Sequence, residues 1–109
     1  MNLRTVLSAI LLLTALVSTP PVRAADDAAS LYKAKCASCH APDGSGSSPT
    51  GKALKVPDLR ADEVQKKTDA ELIEITAAGK GKMPAYKDKL TNAQIKDLVA
   101  YTRNLAKKK

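Results

Sequence analysis

The chain contains no phenylalanine and no tryptophan, and its aromatic side chains are Tyr32, Tyr86 and Tyr101 alone. Its 109 residues allow one domain. A domain of this size buries a modest fraction of its surface and commonly needs a staple, a metal or a cofactor. Without the usual large side chains, something else must fill the core. The same scarcity removes the aromatic platforms on which bases stack. The basic balance, 18 Lys and Arg against 11 Asp and Glu, therefore suggests an acidic protein partner or an anionic membrane surface, and no nucleic acid. One histidine, His40, and two cysteines, Cys36 and Cys39, give three metal donors where a structural zinc site takes four. No internal repeat and no convincing strand pattern is present.

Long apolar runs are also scarce. The one near the start, Val6 to Val17, has 12 residues. At ~1.5 Å per residue it cannot cross a hydrocarbon core of ~30 Å. Arg4 precedes it, Ser18 to Pro21 break it, and Val22-Arg23-Ala24 puts small or apolar residues before a cleavage point. This pattern predicts a secretory signal peptide over residues 1–24, cleaved after Ala24. There is no twin-arginine pair, and no cysteine at the cleavage point to take a lipid. The expected product is periplasmic or otherwise exported, with a domain Ala25–Lys109 and no stable membrane insertion. Arg4 and Arg23 leave with the leader, so 16 basic residues face 11 acidic ones, a charge of +5. Met1 leaves too, and Met83 becomes the only methionine.

The helix signals come in order. Asp26-Asp27 open a first helix reaching about Cys36 or beyond, with Ala28, Tyr32 and Cys36 on one face. Ala41 to Lys55 is rich in Gly, Ser and Pro and reads as a loop long enough to need something to cover. A helical turn is expected over Ala61 to Lys66. Thr68 and Glu71 form a capping box, Leu72 and Ile75 an apolar face, and Gly79 a stop. Thr91 and Gln94 form a second capping box, with Leu90 and Ile95 at the positions of a hydrophobic staple. Ile95, Leu98, Val99 and Leu105 then recur at helical spacing.

Cys36-Ala37-Ser38-Cys39-His40 is a C-x-x-C-H sequence, the attachment pattern of c-type haem. Two intervening residues let both sulfurs reach neighbouring vinyl groups of one porphyrin, and a histidine directly after the second cysteine lies beneath the iron. A thioredoxin-like redox pair would expect a βαβ context. A plain disulfide suits an oxidising compartment but leaves the small core unexplained. The second axial ligand follows by elimination. His40 is the only histidine, and Met83 sits in Gly79-Lys80-Gly81-Lys82-Met83-Pro84, a loop rather than the apolar face of a helix. The competing view is a methionine that is exposed or merely packs. Lys33 and Lys35 flank the first segment, and Lys80, Lys82, Lys87 and Lys89 the second. They are either ordinary solvated lysines or a docking ring for acidic redox proteins.

With these residues in view, the segments LYKAKCASCHAPDGSG, GKGKMPAY and LTNAQIKDLVAYTRNL resemble, in this order, the small bacterial class I (monohaem) cytochromes c. The resemblance spans nearly all of Ala25 to Lys109. It implies an all-α cytochrome c fold, with three to four short helices wrapped around one covalent haem c. The first and last helices would cross with Tyr32 and Tyr101 at the crossing. Many relatives have Gly where Ala28 stands. The resemblance also implies a proline carbonyl on Nδ1 of His40, with Pro49 favoured over Pro57. His40/Met83 ligation would leave no open iron position, so the expected function is a monomeric one-electron carrier between redox proteins, not an enzyme. The alternatives are a haem sensor or peroxidase-like domain with a labile Met83, or an electron-transfer subunit of a larger oxidoreductase.

Overall fold

Each of the two long C-terminal helices begins where a threonine side chain can replace a missing backbone partner. Thr91 Oγ1 accepts from the Gln94 amide at 3.1 Å, and Gln94 Oε1 accepts from the Thr91 amide at 2.9 Å. Thr68 and Glu71 make the same reciprocal pair, at 3.1 and 2.7 Å. Such a cap stabilises a helix by about 1 kcal/mol. The computed structural model describes residues 15–20 and 24–109, so the leader expected over residues 1–24 falls largely outside them. The described helices are α1 (Ala24–Lys35), α2 (Ala37–His40), α3 (Pro49–Leu54), α4 (Asp62–Gln65), α5 (Asp69–Ala78) and α6 (Asn92–Lys107). Among the described residues the only strand-like pairing is a single bridge between Lys80 and Met83, and no helix is long and apolar enough to cross a membrane. The all-α expectation holds.

The helix count departs from the expected three to four. α1 and α2 together are the expected first helix, broken at Cys36, and α4 is the expected turn. The addition is α3, inside the stretch Ala41–Lys55 that composition suggests is loop. Ser48 caps it by accepting from the Gly51 amide at 3.0 Å, and Pro49 at its first position already has helical φ. Lys55, at φ +54, ends it.

α1 packs across α6. The Tyr32 and Tyr101 rings meet there, with centroids 4.9 Å apart and planes tilted by 42°, as the resemblance implies. Tyr32 is 2% exposed, and its hydroxyl donates to the Ala41 carbonyl at 2.7 Å. Burial pushes that phenol's pKa upward, so it remains a donor. Ile95, Leu98 and Leu105 of α6 join Tyr32 and Leu90 in one cluster. Leu90 and Ile95 are both buried, as a staple requires. Ala28 is also buried on α1.

α5 behaves differently. It carries Leu72, Ile73 and Ile75, yet none of its residues is fully buried. Leu72 and Ile75 face a cleft, while Ile73 and Ala77 pack against the buried cluster that α6 supplies.

Arg103 of α6 holds the entry to α5. Its guanidinium donates to the Gln65 carbonyl at 2.9 Å, to the Lys67 carbonyl at 2.7 Å and to Asp69 Oδ1 at 2.9 and 3.1 Å. Gln65 Nε2 in turn donates to the Leu59 carbonyl at 2.6 Å. Asp69 is solvent-exposed, so the carbonyl bonds should outweigh the ion pair. Arg103→Lys keeps the charge but loses the fork. It is expected to lower the unfolding free energy by about 1.5–3 kcal/mol in guanidinium titrations, and Asp69→Asn by a small fraction of that. Equal losses would assign the stability to the ion pair.

Candidate functional site

Cys36 closes α1, its amide donating to the Tyr32 carbonyl at 2.9 Å, and the chain re-enters a helical turn at Ala37. Cys39 and His40 complete α2, and the His40 amide donates back to the Cys36 carbonyl at 2.9 Å. The turn then stops at Ala41, a non-glycine residue held at φ +64. Four consecutive carbonyls of this turn are taken by later residues or by α1. Ser48 Oγ donates to Ser38 O at 2.8 Å and Cys39 O at 2.9 Å. The Gly46 amide donates to His40 O at 2.8 Å, and Tyr32 Oη donates to Ala41 O. At Gly51 a Cβ would collide with the Cys39 carbonyl, so the first turn of α3 lies against the motif only because that position is glycine. The polar stretch that cannot pack by itself is thus a backbone belt around C-x-x-C-H.

Cys36, Cys39, His40 and Met83 line one cleft of about 560 Å³. Its walls are apolar, with Leu72 and Ile75 from α5 and Leu98 and Val99 from α6. Thr76 and Thr102 also reach it. Their hydroxyls are spent on their own helices, donating to Leu72 O at 2.8 Å and Val99 O at 2.7 Å. The cleft thus offers little polar surface where a macrocycle would lie.

Burial sets the protonation of the motif. His40 has its pKa lowered by desolvation, which favours the neutral imidazole, the form that binds a metal. The Cys36 thiol is pushed up to about 11, first by burial and then by the neighbouring Cys39. A redox dithiol works through a lowered thiol pKa, so Cys36 does not suit that chemistry. His40 Nδ1 is a buried polar atom without a hydrogen-bond partner. The expected Pro49 carbonyl does not take it. Pro49 is the first residue of α3, whose carbonyl the helix uses for its own ladder. Pro57 lines the cleft, as Pro84 does, and Pro49 does not, but the Pro57 carbonyl does not bond Nδ1 either. Its segment is fixed from behind: the Leu59 amide donates to Gly44 O at 2.8 Å, and Asp58 Oδ1 accepts from the Arg60 amide at 2.9 Å.

Met83 reaches the cleft from a tight turn after α5. Lys80 and Met83 exchange both backbone bonds, at 3.1 and 3.0 Å. The exposed Lys35, Lys80 and Lys82 stand at the cleft's border. Sequence patterns alone do not indicate Ser48, Tyr86 or Arg103, all of which act on backbone carbonyls. Of these, only Ser48 had a local signal, a serine immediately before a proline.

The residues present therefore fit a flat, apolar group that a pair of cysteines could hold, with His40 and Met83 lining the same cleft. Comparison with known proteins agrees. Residues 23–101 match the family described as cytochrome C oxidase, cbb3-type, subunit III. The chain is 37% identical over 78 residues to a cytochrome c6 of Leptolyngbya boryana, covering 72% of this chain and 88% of that one. It is 37% identical over 97 residues to a cytochrome c6 of Nostoc sp. (strain PCC 7120 / SAG 25.82 / UTEX 2576), covering 88% of this chain and 85% of the relative. Among solved structures it superposes on the KustC0563 c-type cytochrome with a TM-score of 0.66 at 31% identity, covering 72% of this chain and 95% of the other. A C-x-x-C-H turn on an apolar cleft, an all-α fold and these relatives lead to one assignment: the chain belongs to the class I (monohaem) c-type cytochromes, electron carriers with covalently bound haem c.

Proposed function

We propose that the chain is exported, that the mature domain Ala25–Lys109 attaches its haem through thioethers at Cys36 and Cys39, and that His40 and Met83 are the axial ligands of the iron. In that form it carries single electrons between redox proteins. One observation above all supports this: the four side chains, drawn from the α1–α2 junction and from the turn after α5, line the same apolar cleft. Bound there, haem supplies one-electron Fe(III)/Fe(II) chemistry. The chain's own residues do the rest. The two cysteines tie the macrocycle to a turn whose carbonyls are held from outside. His40 presents a neutral imidazole. Met83 closes the remaining position with a soft thioether, and together with the apolar walls it favours the reduced state and raises the potential. Leader, charge and partner belong to the same proposal. Arg4, the run Val6–Val17 and Ala24 support export. Lys33, Lys35, Lys80, Lys82, Lys87 and Lys89 are all exposed and lie on the two segments that supply the proposed ligands. That distribution suits an acidic redox partner, steered to where an electron would leave.

Two measurements test this. In oxidised holoprotein the Met–Fe(III) charge-transfer absorbance should be present. Met83→Ala should abolish it, lower the reduction potential by ~0.1 V or more, within the ~0.8 V that axial ligands span, and open the reduced iron to CO. A wild-type protein that lacks the band and binds CO rapidly would instead be a sensor or peroxidase-like haem domain. Second-order electron transfer with an acidic redox partner should slow about ten-fold or more from low to high ionic strength, as surface charge is screened. A rate independent of salt would remove the docking role from the lysines.

A further inference from the structure

The turn that carries Met83 is bonded to itself. α5 ends at Gly79, φ +79, where a Cβ would stand 2.7 Å from the Met83 carbonyl oxygen. The chain doubles back through Gly81, φ +57, and the Lys80–Met83 bridge closes the turn. None of these bonds connects it to the cysteine side of the cleft.

Tyr86 makes that connection. Its amide is shared between the Thr76 and Ala77 carbonyls at 3.1 and 3.2 Å, and its own carbonyl accepts from the amides of Lys89 and Leu90, both at 2.9 Å. Its backbone is therefore pinned to the end of α5. Its side chain crosses to the opposite wall, where Oη donates to the Lys35 carbonyl at 3.0 Å, 51 residues away in the chain. Lys35 immediately precedes Cys36 and is the last residue of α1, so its carbonyl lacks an intrahelical donor. Among the described residues this is the only hydrogen bond between 79–90 and 24–41. The ring lines the cleft and packs against the buried cluster. Lys89 Nζ stands 5.6 Å from the ring centroid.

We propose that Tyr86 is a positioning residue, whose hydroxyl, bonded to the Lys35 carbonyl, holds the Met83 turn closed against the cysteine-bearing end of α1. This role rests on Met83 being the iron ligand proposed above. Water can replace a bond at the half-exposed rim once the whole domain unfolds, so it contributes little to global stability. In a local opening that moves residues 79–90 away from the end of α1 while α1 and α6 stay packed, it is the one hydrogen bond to residues 24–41 that must break. Its removal should therefore act on how often Met83 leaves the iron, and far less on whether the protein is folded.

The test uses oxidised holoprotein, with cyanide as the probe that must displace Met83. Tyr86→Phe keeps the ring and removes only the donor. It is expected to retain the Met–Fe(III) charge-transfer band while binding cyanide about three- to ten-fold faster than wild type, the factor carried by one such bond. Amide exchange at Met83 should accelerate by a similar factor, with little movement of the guanidinium midpoint. Met83→Ala serves as the reference for an open site, with no band and fast cyanide binding. Wild-type cyanide kinetics in Tyr86→Phe, with fast binding in Met83→Ala, would overturn the latch and leave the ligation standing. A Met83→Ala protein that keeps both the band and the slow kinetics would overturn the ligation, and the latch with it. Faster binding matched by an equal loss of global stability would make Tyr86 a packing residue only.

Discussion

The structure depends on a cleft that the polypeptide does not fill. Close packing is the normal state of a protein interior, and unsupported apolar walls of this kind are costly in water. Here a chain without Phe or Trp packs Tyr32, Tyr101, Ile95, Leu98 and Leu105 together, and where Tyr32 and Leu98 meet Leu72, Ile75 and Val99 they border a cleft. α5 contributes apolar residues but no fully buried one. Covalent haem supplies what is missing, so the cofactor of this cytochrome is also a large part of its core.

Everything next to the cleft concerns backbone position more than side-chain chemistry. The C-x-x-C-H turn is held by the carbonyls of Ser38, Cys39, His40 and Ala41, which accept from Ser48, Gly46 and Tyr32. The far wall is held by the carbonyls of Leu59, Gln65 and Lys67, which accept from Gln65 and Arg103. Gly51 and Gly79 allow approaches that any Cβ would block. Apart from the Arg103 fork, charge lies at the surface: Lys33, Lys35, Lys80, Lys82, Lys87 and Lys89 are exposed, and Arg60 and Arg103 pair with Asp58, Asp43 and Asp69. An apolar cleft and a lysine-bearing exterior suit an electron carrier.

What could be read from the residues, and what could not, follows the range of each interaction. The Thr68 and Thr91 capping boxes and the Leu90–Ile95 staple are complete within five or six residues, and each is found as expected, while the equally short C-x-x-C-H forms one turn on the cleft. α3 was hidden because its start signal, Ser48-Pro49, lies in a polar stretch with no apolar period to announce a helix. The Pro49 carbonyl that the resemblance favours for His40 Nδ1 belongs instead to the first turn of α3, which is not legible in the loop-like composition around it. Tyr86 and Arg103 were illegible for a different reason. Their partners are carbonyls tens of residues away, and a carbonyl carries no residue type to recognise.

The claim that haem completes the core is tested most directly by removing its attachment. Cys36→Ala with Cys39→Ala leaves the helix signals and the α1–α6 contact residues intact and prevents thioether formation. The apo chain should then lack a cooperative guanidinium transition and show mostly unfolded far-ultraviolet dichroism, as metal-dependent small domains do without their metal. A native-like, cooperative unfolding curve for that double variant would contradict the account.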